Sequence, residues 1–522
     1  MKEILLKNKK FVIITFILTL FTAMLTVSVP ILLSNVFNNN YTINTKIFVL
    51  IIVFMFVTYA IQIAMVIIRE NFALKFNTDY SKELFSKMFN MKYDSILKQG
   101  STYLIDRIGQ VVNNLYLFLI NSLVGIISNV IIIVVSLILI AMINGYLFLM
   151  LLALVPINYI GYKFINEKLH EKSKVMQENT SLSYKELISV FKNTDMIKQE
   201  SDYSRIENLI SPSINRIYHS MASVNKFGQS TSLIIKLLNS FVQNIMFFVL
   251  AYLIFIGETQ VGDLVIASIV LPIFFTALQA FTNVNLEYRD LIVSKEFVDE
   301  SIINELEIYK EVFIDTIESI HFGTVEFSVG EKNISHIIDK TFTPGDIVYV
   351  DGPSGSGKSS LMKALLKFRD SIGIKVNEQN LEDINVQSLR THMFYLSQET
   401  SILPFTLKEN ISYGVENPHY DWSGLEKSEL MGSILKNHDL DESLLDQGNN
   451  LSGGEKQRVM LARLLKEDYD VIILDEVTSN IDKESQDIIL NTILNRMKNK
   501  IVFMISHDTT IKDFCNSNIK IY

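Results

Sequence analysis

The sequence predicts a multidomain membrane protein, in which an all-α domain of six membrane-spanning helices precedes an α/β domain. Two observations predict the first domain: 49% of the 522 residues are hydrophobic, with a mean hydropathy of +0.27, and the first 300 residues contain six long apolar stretches. The second domain is predicted by a buried strand, a glycine-rich loop and a helix that follow one another near residue 350.

Each of the six apolar stretches is close to the ~20 residues that a helix needs to cross a bilayer. The first span follows Lys7, Lys9 and Lys10, as the apolar part of a signal peptide would. It is too long for a signal peptide, and no small-residue cleavage site follows it, so we expect a retained anchor. The six predicted spans are residues 11–33, 47–68, 116–143, 146–165, 234–256 and 264–286.

The segments between the spans alternate in length and charge. Residues 34–46 and 257–263 contain Lys46 as their one basic residue, whereas residues 69–114 and 166–232 contain seven and nine Lys or Arg residues. Because basic segments stay on the cytoplasmic side of a membrane, we expect the N-terminus, both long segments and the α/β domain in the cytoplasm. The net charge of −9 gives no indication of nucleic-acid binding.

A phosphate-binding loop is predicted directly after the apolar strand 346–350. The loop matches the pattern GxxxxGK followed by Ser or Thr, in which backbone N–H groups cradle phosphate oxygens. Lys358 is expected to reach the β- and γ-phosphates, and Ser359 is expected to ligate Mg²⁺. The predicted nucleotide contacts are Gly352, Pro353, Ser354, Gly355, Ser356, Gly357, Lys358, Ser359 and Ser360.

Polar residues follow three further apolar strands, where parallel sheets bind their ligands. Asp475 and Glu476 end the apolar run 471–474; we expect Asp475 to hold Mg²⁺ and Glu476 to polarise the attacking water as general base. His507 follows the run 501–505 and is expected to contact the γ-phosphate. Gln398 follows the strand 393–397 and is expected to sense Mg²⁺ and water.

The stretch LSGGE leads into a predicted helix that begins at its last residue, Glu455. Ser452 is a good N-cap, and the two glycines allow a ligand to approach the backbone closely. A helix N-terminus of this kind can bind an anion, although an ordinary surface helix can begin with the same residues. The stretch consists of Leu451, Ser452, Gly453, Gly454 and Glu455.

Together these motifs resemble the nucleotide-binding domain of ATP-binding cassette (ABC) proteins. The resemblance extends from about Thr316 to Tyr522, and Ser479 to Asp482 is similar to the family's D-loop, with Ser479 and Asp482 as contact residues. Six spans with long intracellular extensions resemble one half of an ABC exporter. The implied fold has a membrane domain at 1–300, a linker at 301–315 and an α/β P-loop ATPase domain at 316–522.

The resemblance also implies ATP hydrolysis with Mg²⁺ in a dimer. In this family two nucleotide domains face each other head to tail, so Ser452, Gly453 and Gly454 of one chain would close over the ATP held by Lys358 of its partner. The chain carries a complete set of site residues, which favours a homodimer of twelve spans. A heterodimer with a similar half-transporter is the alternative.

Some parts of the chain depart from the family pattern. The expected adenine-stacking aromatic residue corresponds to Phe327, or its place is taken by Val329. The fifth signature residue is Glu455 where Gln is commoner, and the segment before it, 446–450, is short.

The two long cytoplasmic segments resemble the intracellular loops of the family. Each loop should contain a short coupling helix, which we place near Tyr93–Gln99 in the first segment and near Asp202–Asn208 in the second.

The polar groups within the spans are mainly amides, which serve either as cargo contacts or as hydrogen bonds between helices. Because the spans hold almost no charge, their cavity suits a peptide or amphiphile better than a multiply charged ion. The composition, rich in Lys, Asn and Ile, indicates a bacterium and its cytoplasmic membrane, and a bacteriocin-like peptide is the expected cargo. The alternatives are a lipid or multidrug exporter, or a membrane ATPase with an immunity or sensing role and no translocated cargo. The amides are Gln62, Asn121, Asn129, Asn158, Asn239, Gln243, Asn244, Gln279 and Asn283.

Overall fold

The chain divides into two units in its computed structural model. The first unit comprises residues 1–91 and 95–306, and the second comprises residues 92–94 and 307–522. The residues that the structure describes are 9–38, 45–199, 203–330, 332–397, 401–412, 422–428, 430–432, 434–445, 448–465, 468–476, 486, 490, 494 and 497–522.

The first unit is all-helical, and six of its helical segments are long and apolar enough to span a membrane. Its helices are α1 (Lys9–Asn38), α2 (Thr45–Phe89), α3 (Tyr93–Gln99), α4 (Ser101–Leu117), α5 (Val124–Ile143), α6 (Gly145–Phe191), α7 (Thr194–Gln199), α8 (Tyr203–Phe255) and α9 (Val261–Phe297). A π-helical turn, Phe118–Leu123, joins α4 to α5, so these two helices form one continuous segment.

Most of the long helices extend well beyond the apolar spans predicted from the sequence. The predicted span 146–165 is the first part of α6, and the predicted span 234–256 is the last part of α8. Hydrophobicity marks only the part of a helix that lies in lipid, whereas backbone hydrogen bonding continues into polar sequence. Side-chain pairs one turn apart support these extensions, as in the 2.6 Å ion pair between Lys87 and Glu83 in α2.

Local capping explains where α6 begins. The Asn144 side chain accepts hydrogen bonds from the backbone N–H groups of Tyr146 and Leu147. Asn144 itself is extended, with ψ of 132°, and therefore ends α5. A single extended residue, Asn144, therefore joins α5 to α6 and caps the start of α6.

The structure confirms one predicted short helix and corrects the other. α3 covers Tyr93–Gln99, as predicted. The second short helix is α7, at Thr194–Gln199, whereas we placed it near Asp202–Asn208. Residues 203–208 instead form the first turns of α8. The position of α7 follows from its ends, because Asp195 in the first turn and Lys198 in the last turn both complement the helix dipole.

The second unit contains two sheets and several short helices. An antiparallel sheet has the order β2–β1–β4–β5, and a parallel sheet has the order β6–β7–β8–β3–β9. The strands are β1 (Ile320–Val329), β2 (Lys332–Phe342), β3 (Ile347–Asp351), β4 (Ser371–Val376), β5 (Gln379–Asn380), β6 (Met393–Leu396), β7 (Val471–Asp475), β8 (Ile501–Ile505) and β9 (Ser517–Lys520). The helices are α10 (Lys358–Leu365), α11 (Val386–Thr391), α12 (Leu407–Ser412), α13 (Trp422–Glu426) and α14 (Gly453–Ala462).

The central strands of the parallel sheet are buried on both faces, which explains their continuous apolar sequence. In β7, Val471 and Ile473 belong to one hydrophobic cluster, whereas Ile472 and Leu474 belong to the cluster on the opposite face. β3, β8 and β7 are neighbours in the parallel sheet, so their carboxyl ends meet at one edge. The polar residues that follow these strands are therefore brought together.

Candidate functional site

The loop after β3 brings its backbone close to β9. A Cβ atom on Gly352 would lie 2.5 Å from the Ile521 carbonyl oxygen, so any other residue there would push the loop outward. Gly357 has a φ of +96° and forms the N-cap of α10, a conformation that L-residues with side chains rarely adopt. These two glycines fix a loop whose backbone leads directly into the N-terminus of α10.

Lys358 is a buried cation within this loop. Its side chain is only 7% exposed, and its Nζ donates to the carbonyl oxygens of Gly352 at 2.6 Å and Pro353 at 3.1 Å. Among the residues that the structure describes, no carboxylate forms an ion pair with it. A buried ammonium without an anionic partner fits a site that receives phosphate.

Ser356 provides a second polar group that lacks a partner in the described part of the loop. Its hydroxyl oxygen is buried and makes no hydrogen bond there. Buried hydroxyls normally find a partner, so this atom fits a phosphate oxygen as its ligand. The loop therefore offers a cation, a free hydroxyl and a helix N-terminus to one anion.

Asp475 is a buried carboxylate at the end of β7. It is 3% exposed and accepts a 2.9 Å hydrogen bond from the Tyr395 hydroxyl on the neighbouring strand β6. No ion pair neutralises it among the described residues. A buried carboxylate of this kind, together with the hydroxyl of Ser359 that begins α10, has the oxygen donors that Mg²⁺ prefers.

Glu476 leaves the strand in an unusual backbone conformation. Its φ is +53°, and its N–H donates to the Ile505 carbonyl oxygen at 2.9 Å. The Oε1 of Glu476 lies 3.0 Å from the Nε2 of His507, and the two side chains are 18% and 57% exposed. Non-glycine residues with positive φ concentrate at functional sites, where the surrounding structure holds the strain. The Glu476–His507 pair lies at the same edge of the sheet as the phosphate loop.

The helix predicted after LSGGE is α14, and its first turn is a complete capping box. Ser452 Oγ accepts from the Glu455 N–H at 3.3 Å, and a Glu455 carboxylate oxygen accepts from the Ser452 N–H and Oγ–H, each at 2.8 Å. The N–H donated by Ser452 lowers the pKa of Glu455, and nearby His438 contributes to the same shift. Glu455, at the position where Gln is commoner, therefore places a negatively charged carboxylate in the N-terminal cap of α14.

Phe327 does not have the free ring face that adenine stacking requires. It is 4% exposed and belongs to the hydrophobic core, so this part of our prediction needs correction. Its position in the middle of β1 turns the ring inward, towards Gly357 and His336. Val329, the alternative position, is half-buried.

Three predicted site residues lie outside the described part of the chain: Gln398, Ser479 and Asp482.

Sequence reasoning missed two residues beside the site. Tyr395 contacts Asp475 across two strands, and the sequence offered no signal for it because strand register cannot be read from one chain. His336 is 8% exposed on β2, and its Nε2 would lie 3.4 Å from a Cβ on Gly357. Burial lowers the pKa of His336, which favours the neutral imidazole next to the phosphate loop. A histidine at an inward position of an apolar strand was the available signal.

Comparison with known families matches both parts of the chain. Residues 12–278 match the family described as ABC transporter transmembrane region. Residues 335–479 match the family described as ABC transporter. The first match covers about half of the chain, and the second includes the phosphate loop and the LSGGE helix.

Individual relatives are distant in sequence. The chain is 25% identical over 285 residues to the "Probable ABC transporter ATP-binding/permease protein" of Haemophilus influenzae, covering 53% of this chain and 52% of that protein. It is 26% identical over 328 residues to the "Lactococcin-G-processing and transport ATP-binding protein" of Lactococcus lactis subsp. lactis, covering 59% and 45%. These alignments thus span about half the length of the curated relatives.

A solved structure shares the fold over the whole chain. It is described as a "bacterial Atm1-family ABC exporter with ATP bound" and has a TM-score of 0.86. The match covers 100% of this chain and 94% of the other, at 18% sequence identity.

Proposed function

Because this chain belongs to the ABC transporter family and has the fold of an exporter half, we propose that it couples ATP hydrolysis to export across a membrane. The observation that carries the proposal is the meeting of three groups at one edge of the parallel sheet. These groups are the phosphate loop with Lys358, the buried Asp475, and the Glu476–His507 pair. The six apolar helices of the same chain provide the part that crosses the membrane.

Phosphate binding is assigned to the loop from Gly352 to Ser360. Its glycines keep the backbone open, and the buried Lys358 ammonium exchanges two loop carbonyls for phosphate oxygens. Ser356, whose hydroxyl lacks a partner among the described residues, gains a phosphate oxygen as acceptor. Because Phe327 is buried, we expect residues other than Phe327 to contact the adenine.

Mg²⁺ is assigned to Ser359 and Asp475, with Gln398 as a further ligand on the lid side. A Mg²⁺ ion held by these residues would supply positive charge next to the bound phosphates. The Tyr395 hydroxyl donates a hydrogen bond to the buried Asp475 carboxylate and orients it for metal binding.

Hydrolysis is assigned to Glu476 as general base and His507 as its partner at the γ-phosphate. The His507 imidazole lies 3.0 Å from the Glu476 carboxylate and orients it. With a hydrogen on Nε2, His507 would donate a hydrogen bond to Oε1 of Glu476. Asp475 and Glu476 have different partners, which are the Tyr395 hydroxyl and the His507 imidazole. Two adjacent carboxylates can thus serve metal binding and proton abstraction separately.

The functional assembly is proposed to be a homodimer. In a head-to-tail pair, Ser452, Gly453 and Gly454 would complete the ATP site of the partner. Ser479 and Asp482 are proposed as contact residues of the dimer because they are similar to the family's D-loop. The capping box presents the first turn of α14 in a defined orientation, as such a contact needs. A heterodimer with a similar half-transporter would use the same surfaces.

The protein is proposed to lie in a bacterial cytoplasmic membrane, with its N-terminus and nucleotide domain in the cytoplasm. The basic segments 69–114 and 166–232 support this orientation. A peptide, such as a bacteriocin, is the proposed cargo, and the name of the Lactococcus relative, which refers to lactococcin G processing and transport, supports that class. Lipids, drugs, and an immunity or sensing role without cargo are outcomes that the following experiment separates.

The test uses the full-length protein in liposomes, with ATP hydrolysis and uptake of peptide, lipid and cationic drug probes measured in parallel. We expect Glu476→Gln to lower ATP turnover by about 10²- to 10⁴-fold while ATP still binds. Transport of the accepted probe should stop with it. Transport that survives in this variant would contradict ATP-driven export, and hydrolysis without uptake of any probe would favour the sensing role.

A further inference from the structure

A cavity of about 110 Å³ lies within the membrane unit, among α1, α2, α5 and α9. It is far larger than the ~10–15 Å³ that a single water needs by the same measure. Among the lining residues that the structure describes, none is charged. Half of the lining residues are polar: Thr19, Thr22, Thr26, Gln62, Ser128 and Ser136.

Thr19 has an unused hydrogen-bonding group in this cavity. It is 3% exposed, and its hydroxyl oxygen is buried without a hydrogen-bond partner in the part of the chain that the structure describes. The neighbouring threonines differ, because Thr22 donates to the Thr19 carbonyl and Thr26 donates to the Thr22 carbonyl, each at 2.9 Å. A buried hydroxyl without a hydrogen bond raises the free energy of the protein in an apolar medium. A hydrogen-bond partner from outside the helix would therefore stabilise the Thr19 hydroxyl.

Pro30 adds an acceptor on the same helix. It lies inside α1 and lines the cavity together with Thr26. Proline has no N–H, so the Thr26 carbonyl loses the hydrogen bond that residue 30 would otherwise donate. The cavity wall therefore combines hydroxyls, the Gln62 amide and a freed backbone carbonyl, which together can donate and accept.

We propose that this cavity binds an uncharged, amide- or hydroxyl-bearing group of a peptide cargo. The proposal rests on the export function proposed above and names the chemistry that its cargo must present. Ionic groups are excluded because no lining side chain compensates their charge, and an unpaired ion in the membrane interior costs several kcal/mol. A neutral amide satisfies the Thr19 hydroxyl, and the apolar wall contributes Ile132, Val135 and Val270 to its alkyl part.

The test measures peptide-stimulated ATP hydrolysis by the full-length protein in liposomes. The probes are three capped pentapeptides of leucine that differ at the central residue, which is glutamine, glutamate or lysine. Stimulation is expressed relative to the basal rate of each variant. We expect the glutamine peptide to stimulate the wild-type protein at lower concentration than the two charged peptides.

Two substitutions probe the cavity. Thr19→Val removes the hydroxyl at nearly constant volume and is expected to raise the half-maximal concentration of the glutamine peptide about 3- to 10-fold. Ser136 is 3% exposed and lines the cavity, so the larger side chain in Ser136→Leu fills the cavity. This variant is expected to abolish stimulation by the glutamine peptide. Thr58→Val is the matched control, because the Thr58 hydroxyl bonds to the Phe54 carbonyl of its own helix and Thr58 is not among the cavity residues.

Three results would overturn the inference: no stimulation of the wild-type protein by the glutamine peptide, equal stimulation by all three peptides, or an unchanged half-maximal concentration in Thr19→Val. Altered basal rates without a changed response to peptide would mean that the cavity holds only water, which also rejects it. Failure of the proposed function looks different, because the wild-type protein would then hydrolyse no ATP, or would hydrolyse ATP without taking up any of the peptide, lipid and drug probes.

Discussion

Asp475 and Glu476 are adjacent carboxylates with separate partners. Asp475 is held by the Tyr395 hydroxyl inside the sheet, whereas Glu476 is held by His507 at its edge. β7 ends at Asp475, and Glu476 follows it with a φ of +53°. The strain of that conformation is offset in part by the hydrogen bond from the Glu476 N–H to the Ile505 carbonyl.

Removing the Tyr395 hydroxyl tests whether it supports the metal site. We expect Tyr395→Phe to raise the Mg²⁺ concentration for half-maximal ATP hydrolysis about 10-fold or more, because outer hydrogen bonds orient metal-binding carboxylates. The measurement is an Mg²⁺ titration of ATPase activity at fixed ATP. Tyr469→Phe is the control, since the Tyr469 ring packs against Phe394 at 5.2 Å. An equal shift in both variants would show that the effect is structural.

At the scale of single elements, the first turn of α14 combines stability with function. Ser452 and Glu455 exchange hydrogen bonds, so the helix start is ordered by the same residues that would face a partner's nucleotide. His438 lies 3.0 Å from Glu442 and 3.9 Å from Glu455, and Glu442 also accepts from Asn450. The segment before LSGGE is thereby tied to the helix through side chains.

The stability that Glu455 provides should depend on pH. Its pKa is lowered in the folded protein from the ordinary 4.5, mainly by the Ser452 N–H. The carboxylate therefore stabilises the fold above about pH 4.5, and this contribution disappears as the pH falls through the folded pKa. We expect Glu455→Ala to cost about 1 kcal/mol at pH 7 and clearly less at low pH.

The single tryptophan, Trp422 in α13, reports this unfolding by its fluorescence in the intact protein. Glu455→Gln is the matched control, because its amide oxygen still accepts from the Ser452 N–H but does not titrate. A deficit in Glu455→Ala that stays constant from pH 7 to pH 4 would contradict the assigned role.

A pair of amides joins α6 to α8 within the membrane unit. Asn158 and Asn239 are each 5% exposed and donate to each other's side-chain oxygens at 3.1 and 3.0 Å. These two amides thus bond between helices, which was one of the two readings left open by the sequence. In lipid such a pair holds two helices together and fixes their register.

A double-mutant cycle with Asn158→Leu and Asn239→Leu measures this pair. We expect each single change to destabilise the protein because it leaves one buried amide unpaired, and the double change to cost less than their sum. The coupling should be about 0.6–1.7 kcal/mol, read from SDS-induced unfolding followed by circular dichroism. Asn244→Leu, an exposed amide on the same helix α8, should have little effect. Additive single changes would argue against the bonded pair.

A single sequence predicts features formed by neighbouring residues better than contacts between residues that lie far apart in the chain. The phosphate loop, α3 and the start of α14 are contiguous, so their residues carry the local signals of caps, glycines and apolar periodicity. Tyr395 and Asp475 are 80 positions apart, and Asn158 and Asn239 are 81 apart. Such contacts depend on strand register and helix pairing, which local patterns do not specify. Phe327 illustrates the same limit, because its position in the chain suited adenine but the strand turns its ring into the core.

At the scale of the whole molecule, the central claim is that one chain supplies two halves of different ATP sites. In this proposal, Lys358 belongs to the site that its own chain holds, and Ser452 belongs to the site of its partner. Such a head-to-tail arrangement makes a dimer necessary for hydrolysis. It also predicts that two differently inactivated chains can restore one intact site between them.

Purified mixed dimers test this claim most directly. One chain carries Lys358→Ala, and the other carries Ser452→Asp, which keeps a good N-cap but sets a negative charge against phosphate. Two different affinity tags isolate dimers containing one chain of each kind, and ATP hydrolysis is measured beside each parent homodimer. The account predicts two inactive parents and a mixed dimer with restored hydrolysis, because Lys358 of one chain then meets Ser452 of the other. A mixed dimer as inactive as its parents would contradict the shared site.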